Sequence, residues 1–429
     1  MQIVTRSRPR PAAYLLPLMW VALIALAAAW GSEVVARDPR IRLGAPPLFG
    51  RIDPRISLWI LPSVLVAATS LRMPALVDRI GWRALLRLTF VMALVWPLAL
   101  ALSAGPGGIT EGLESRHDYL HAVPGLGPIP ELWGSFVDRI ADLPVHVQGH
   151  PPGFVTLLAA MDGVGLGGSG WATALVLTGA TLAPIAVLLV IRDVADEGAA
   201  RRAAPFLVLS PAAVWIATSA DAFFAGVGAC AVALAVMASA RGSVDRHLFA
   251  VAAGLLGAAA LLLSYGLILL AAVALPILAM RRAWDVLALS FVTGIASLIA
   301  VAVVWDFDLL EGLAATRERY LVGVSTHRPF TFFLVANLAA FAIVLGPAVA
   351  SSANDIPRRL LPIAAGAVIA IVLADLSGMS KGEVERIWLP FAPWLLWIAA
   401  SGDRWDARTR LGLQLATALA LELIVVTPW

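Results

Sequence analysis

The stretch PVHVQGHPPGF (144–154) sets His146 and His150 four residues apart in a chain that is otherwise mostly apolar. Imidazoles change charge near neutral pH, so such a pair suits proton transfer, anion recognition or metal binding. Just upstream, EGLESRHDYLH (111–121) supplies Glu114 and Asp118. A carboxylate near an acceptor hydroxyl is a common general base. Asp118 is the first candidate for that role. Glu114 is the second, because on a helical turn a residue four positions earlier would share its face. His150 precedes Pro151 and is pushed toward extended backbone, while Pro152 suits the first turn of a helix. The motif therefore starts a helix near 153 and puts His150 beside its positive end, where a phosphate is favoured.

Two further groups carry charge in apolar surroundings. Asp221 follows an apolar run, and an acid so close to hydrocarbon is a functional candidate by default. In DLSGMSKGEVERIWLPFAPW (375–394), Lys381, Glu383 and Arg386 precede another apolar run, and Arg319 and Tyr320 lie in the polar segment before them. Arg386 and Lys381 are candidates to hold a phosphate, for which guanidinium offers a planar fork of donors. The plainer alternative is anchoring at a membrane interface, since Lys and Arg snorkel and Trp388 suits an aromatic belt. A divalent cation held by His146, His150 and an acid would also bridge phosphates, although their spacing matches no dedicated metal motif.

The elements that must position these residues are helices in a bilayer. The chain has 429 residues, 60% hydrophobic and 14% charged, with a mean hydropathy of +0.87. That much apolar surface cannot be covered in a soluble domain of this length. Apolar blocks of about 16–22 residues recur, close to the ~20 needed to cross a bilayer. They predict an all-α polytopic membrane protein with about thirteen spans, near 12–31, 57–72, 84–104, 171–191, 203–219, 222–240, 248–263, 265–280, 285–305, 331–350, 360–376, 388–402 and 411–427. Residues 153–165 are too short to span and read as a juxtamembrane helix. The expectation is one transmembrane domain over 1–429 with no separate soluble domain, the N-terminal span being retained as a first helix.

Loop charge orients the chain. Arg6, Arg8 and Arg10, Arg72, Arg79 and Arg83, Arg192, Arg201 and Arg202, Arg241 and Arg246, Arg281 and Arg282, Arg358 and Arg359, and Arg404, Arg408 and Arg410 all fall on one side of a thirteen-span topology. The positive-inside rule makes that side cytoplasmic. Loop 32–56 is the exception, its arginines partly offset by Glu33, Asp38 and Asp53. The N-terminus is then inside and the C-terminus outside. Loops 105–152, 306–330 and 377–387 emerge on the outer face of the plasma membrane, with five of the six histidines in them. The pI near 9.5 reflects cytoplasmic arginines and carries no expectation of nucleic acid. The one cysteine, Cys230, excludes a disulfide within the chain.

The order of motifs then carries a resemblance. An acidic loop, a His-Pro-Pro-Gly opening a short helix, a charged turn RDVADEGAARR (192–202) and LVLSPAAVWIATSADAFFAGV (207–227) follow one another. This resembles the GT-C superfamily of polyprenyl-phosphate-sugar-dependent glycosyltransferases, in particular protein O-mannosyltransferases and lipid A aminoarabinose transferases. The match covers about residues 110–240, with Ser210-Pro211 and Ser219-Ala220-Asp221-Ala222 standing at that family's helix-pair pattern. It departs in two ways. The acidic loop follows the third expected span, not the first, and ESRHDYL stands where adjacent acids are usual. The Arg-rich, Lys-poor composition also suggests a high-GC bacterium. The resemblance implies a transferase that moves a sugar from a polyprenyl-phosphate donor to a lipid, glycan or protein acceptor. In it Asp118 or Glu114 would be the base, and His150, His146, Asp221, Arg319, Tyr320, Lys381, Glu383 and Arg386 would surround the donor. A membrane transporter or flippase is the alternative; it would show two related halves with charges at the midplane, and no such repeat is visible. No nucleotide phosphate loop, H-E-x-x-H or G-x-S-x-G occurs, against an ATP-driven pump or a soluble-type hydrolase.

Overall fold

The computed structural model describes residues 14–240, 242–403 and 405–427, without the side chains of Ser243 and Val324. Arg6, Arg8, Arg10, Arg241 and Arg404 lie outside the described residues. The protein is an all-helical polytopic membrane protein: among the described residues, seven helices are long and apolar enough to cross a bilayer. These are α1 (Leu15–Arg37), α2 (Trp82–Ala104), α3 (Ser169–Val194), α4 (Ala220–Ala238), α5 (Val244–Leu263), α6 (Trp284–Trp305) and α8 (Arg358–Leu376). An eighth, α7 (Phe330–Leu345), passes the test only together with Pro347–Asp355, across an 87° bend. The only strands described are the two-residue pair Arg51–Ile52 and Val425–Val426.

Thirteen spans therefore do not emerge as thirteen long helices, and the reasons are local. Residues 58–70 and 265–280 are helical but short. The run 203–219 breaks after Val208, where Ser210-Pro211 starts a separate turn. The run 388–402 contains Pro390 and Pro393 and folds as short turns that are buried nearly throughout, so its hydrophobicity serves the core. By contrast α6 presents Phe291 and Val303 outward, at 66% and 79% exposure. The 331–350 block bends at Gly346, whose φ of 79° suits glycine. Buried Gln414 caps both arms of the bend. Its Nε2 donates to Leu345 O (2.7 Å) and its Oε1 accepts from Ala348 N (3.2 Å), satisfying backbone groups that a broken helix leaves in hydrocarbon.

The two ends of the bundle differ in chemistry. At one end the turns are pinned by arginine. Arg201 Nη1 donates to Val77 O and Ile80 O, both at 2.7 Å. Arg281 Nη1 donates to Asp193 (2.6 Å) and Ser239 (2.9 Å), and Arg246 pairs with Asp285. At the other end, one length of α4 away (about 28 Å at ~1.5 Å per residue), lie Asp221 and segments 105–152, 306–330 and 377–387. Loop 32–56 joins this end, and its arginines are partly paired locally. Arg37 pairs with Glu33 (3.2 Å), Arg40 with Asp38 (2.8 Å), and Arg51 and Arg55 with Asp53 (3.0 and 3.5 Å). Its strand pairing with Val425–Val426 brings the C-terminal segment to the same end.

The chemistry-bearing segments therefore share a face, and the arginine-pinned turns take the other. With Cys230 replaced by alanine, cysteines at exposed Glu114 and Arg317 should react alike with a membrane-impermeant thiol reagent in sealed vesicles, and one at exposed Arg202 should behave oppositely. Equal labelling of all three would contradict the arrangement.

Candidate functional site

The segment around Asp118 is folded by short turns. Asp118 has extended backbone (φ −93°, ψ 171°) and caps a turn at Tyr119–His121, its Oδ1 accepting from Tyr119 N at 2.7 Å. The helical turn that would have put Glu114 and Asp118 on one face is absent here. Glu114 is exposed while Asp118 is buried, because the chain turns at Ser115–Asp118 and the cap sends only the second acid inward. A backbone bond from His146 N to His117 O (3.0 Å) lays residue 146 against this segment. His146 Nδ1 then meets Asp118 Oδ2 at 2.8 Å.

The imidazole's other nitrogen, Nε2, lies 3.0 Å from Arg386 Nη2. A guanidinium can only donate, so Nε2 accepts, and the ring proton sits on Nδ1, where Asp118 accepts it. Arg386 also donates from Nη1 to Asp221 Oδ2 (3.1 Å) and from Nη2 to Glu383 Oε2 (2.9 Å). Asp221 is fixed at the start of α4 by Ser219, whose Oγ accepts from Asp221 N (3.2 Å) and donates to Oδ2 (2.8 Å). Asp118, Asp221 and Arg386 are 3%, 3% and 6% exposed. Burial disfavours the Arg386 cation, yet Glu383, Asp221 and Asp118 together hold it more firmly protonated than usual. Burial likewise opposes the Glu383 carboxylate, and Arg386, Arg328 and His146 outweigh it, lowering its pKa.

The 377–387 loop needs special backbone. Gly378, Gly382 and Glu383 all have positive φ, at 66°, 89° and 63°. A Cβ on Gly382 would stand 3.0 Å from Phe333 and 3.4 Å from Arg328 Nη1, so glycine is required there by both space and φ. Glu383 holds this conformation as a non-glycine residue, a strain that surrounding contacts must over-determine. Asn337 in α7 supplies some of them. Its Nδ2 donates to Asp375 (2.8 Å) and Ser380 O (2.6 Å), and its Oδ1 accepts from Gly382 N (3.0 Å). Arg328 supplies the rest. It donates to Lys381 O (2.6 Å) and Ile41 O (3.3 Å), approaches Glu383 Oε1 at 3.5 Å, and lies 5.0 Å from the Phe49 ring centroid.

Neither Arg328 nor Asn337 is among the residues singled out from the sequence. Arg328 is one of several loop arginines. Asn337 is the lone amide in FTFFLVANLAAFAIVL, and a polar residue inside an apolar span is the signal that would have found it.

The other expected residues fall into two groups. Lys381, Tyr320 and Arg319 tie the loops together. Tyr320 Oη accepts from Lys381 N (2.8 Å), Lys381 Nζ donates to Ser325 O (3.2 Å), and Arg319 Nε donates to Gln148 Oε1 (3.3 Å). His150 packs in an aromatic cluster, with ring centroids 5.9 Å from Tyr119 and 5.4 Å from Phe224. Burial, outweighing Asp221, lowers its pKa to about 4 and keeps it neutral. The helix that it precedes runs Gly153–Gly163. It packs so closely that a Cβ on Gly153 would lie 2.2 Å from Leu262 O, which explains the glycine after Pro-Pro. Burial, with Asp221 and Asp118, also raises the Tyr119 phenol well above its ordinary pKa. Among the described residues no group of three or more His, Cys, Asp or Glu is placed to hold a metal ion.

Near the polar network lies a small apolar cavity of about 30 Å³, lined by residues that include Ala180, Ala183, Leu207, Ala222, Ala225 and Leu389. Ala222 and Leu389 stand one residue from Asp221 and three from Arg386, so the cavity lies near the charges, none of which lines it. No protein-family model matches the chain and no curated protein matches it significantly; this site carries the functional reading.

One buried acid marks the site's pH dependence. Glu385 is 0% exposed and accepts from Phe49 N at 3.0 Å through Oε1. Burial raises its pKa to about 7, so the folded protein binds its proton more tightly than the unfolded chain does. Its contribution to stability is complete below the unfolded carboxyl value of about 4.3 and is lost as pH rises through about 7. Thermal melts of the detergent-solubilised protein should fall in Tm over that window, and Glu385→Gln should flatten the fall. An unchanged slope in the variant would refute this assignment.

Proposed function

We propose that the protein is an integral membrane glycosyltransferase that moves a sugar from a polyprenyl-phosphate donor to a lipid, glycan or protein hydroxyl at the outer face of the plasma membrane. The single observation that carries this reading is the junction just described. A chain Asp118–His146–Arg386–Asp221, buried except at half-buried His146, stands close to a small apolar cavity. A substrate with a charged head and a hydrocarbon tail matches such a junction, the small cavity marking the apolar side along which the tail would run, and a small polar solute does not use that side. The thirteen-crossing topology with a cytoplasmic N-terminus belongs to the same proposal, the short and broken segments completing crossings that the long helices begin.

The chemistry required is simple. The bond between the anomeric carbon and the phosphate oxygen breaks, its electron pair leaving with the polyprenyl phosphate. The acceptor oxygen bonds to the anomeric carbon and gives up its proton to a base. The Asp118–His146 pair is the nearest base system to the buried cation, and Arg386 sits where a developing phosphate charge would be stabilised. Arg386 is already matched by Asp221 and Glu383, so removing it leaves buried acids without a partner, a defect of typically ~3–5 kcal/mol. Arg386→Ala is therefore a folding variant, and donor recognition is better probed with Lys381, Arg319 and Tyr320 on the loops around it.

The test is transfer by the purified, lipid-supplemented protein from a panel of polyprenyl-phosphate-linked sugars. Wild type should transfer from at least one of them. Asp118→Asn should lower turnover by about 10²–10⁴-fold with donor binding nearly intact, and exposed Glu114→Gln should cost little. A transporter would show no transfer but substrate-dependent flux in vesicles, and full activity in both acid variants would remove this loop from the chemistry.

A further inference from the structure

We infer that His146 Nε2, not Asp118, is the atom that takes the acceptor's proton, and that Arg386 covers this nitrogen until the anionic head of the donor draws the guanidinium away. The inference rests on the glycosyltransferase reading and assigns the proton path within it. Both Asp118 oxygens are occupied inside the protein, Oδ1 by Tyr119 N at 2.7 Å and Oδ2 by His146 Nδ1 at 2.8 Å. A carboxylate so engaged, at 3% exposure, is poorly placed to meet a hydroxyl. It is well placed to fix a tautomer. With its proton on Nδ1 and held by Asp118, the ring keeps its lone pair on Nε2, pointing away from the loop toward the buried charges. Carboxylate-held imidazoles act as bases in this way because the acid orients the ring and stabilises the imidazolium that forms.

In the structure the Nε2 lone pair accepts one hydrogen bond, from Arg386 Nη2 at 3.0 Å. The same Nη2 donates to Glu383 at 2.9 Å, and Nη1 donates to Asp221 at 3.1 Å. Arg386 can therefore turn its shared edge toward a phosphate and stay anchored by Asp221. Charge-assisted bonds to phosphate are stronger than one to a neutral imidazole, and Glu383, which shares that edge, keeps Arg328 at 3.5 Å as a partner. The step then balances. The acceptor O–H proton passes to Nε2, the acceptor oxygen bonds to the anomeric carbon, and the carbon–oxygen pair departs on the polyprenyl phosphate beside Arg386. Asp118 acts as a positioning residue and His146 as the catalytic one. A base uncovered only by the donor also limits wasteful hydrolysis, since an empty site holds no active base.

The test reads nitrogen protonation directly. The full chain, labelled with ¹⁵N-histidine and placed in lipid nanodiscs, is observed by NMR without and with saturating farnesyl phosphate, and the His146→Gln spectrum identifies the His146 signals. Without ligand, Nδ1 should bear the proton and Nε2 should be bare and hydrogen-bonded. Farnesyl phosphate should shift Nε2 toward the unbonded position while Nδ1 keeps its proton. A proton on Nε2 in the unliganded protein, or an Nε2 signal that bound farnesyl phosphate leaves unmoved, overturns the inference. Failure to bind farnesyl phosphate overturns the donor reading and with it the uncovering step, whereas the tautomer is read independently from the unliganded spectrum. In transfer assays His146→Gln should lose about 10²-fold or more in kcat with donor KM little changed. If His146→Gln stays near wild type while Asp118→Asn is inactive, Asp118 takes the proton itself.

Discussion

A guanidinium cannot shed its proton inside a protein, so burying Arg386 obliges the fold to bring anions to it. The site follows from that constraint. Asp221 comes from the start of α4, held by Ser219 two residues before it, and Glu383 comes from a loop forced into left-handed backbone to reach the same cation. His146 completes the set and ties in Asp118. Three segments far apart in sequence meet at one charge, and the hydrogen bonds of Arg328 and Asn337 keep the strained loop from relaxing away from it.

The membrane class of the chain was legible from composition, and the long helices from length, because a bilayer imposes about 20 apolar residues on any straight crossing. Helices α2, α3, α4, α6 and α8 fall within a few residues of where their apolar blocks place them, and α1 runs six residues past the end of its block. The block at 388–402 forms no straight helix because Pro390 and Pro393 break it into buried turns. The one at 331–350 hides a bend whose partner, Gln414, lies about seventy residues on. Hydropathy counts apolar residues and is blind to whether lipid or protein covers them.

The candidate site was partly legible for a related reason. Titratable residues in an apolar chain are costly, so Asp118, His146, Asp221, Glu383 and Arg386 could each be singled out, and the structure joins these five. What could not be read was their pairing. Choosing between Glu114 and Asp118 required knowing that the loop is capped and extended at Asp118, whereas a helical turn would have favoured both. Arg328 was lost among similar loop arginines because burial, not identity, makes it matter. His150 looked like an open group at a helix start, and its packing against Tyr119 and Phe224 depends on α4, which the local sequence does not announce.

The account joins a buried charge chain to an apolar cavity and assigns both to one amphipathic substrate. The most direct measurement is an experimental density map of the protein in nanodiscs with a polyprenyl phosphate bound. The account predicts phosphate density beside Arg386 and His146, with the first isoprene units passing alongside Ala222 and Leu389. Phosphate density at the arginine-pinned end of the bundle, or an isoprenoid that makes no contact with Ala222 or Leu389, would contradict it.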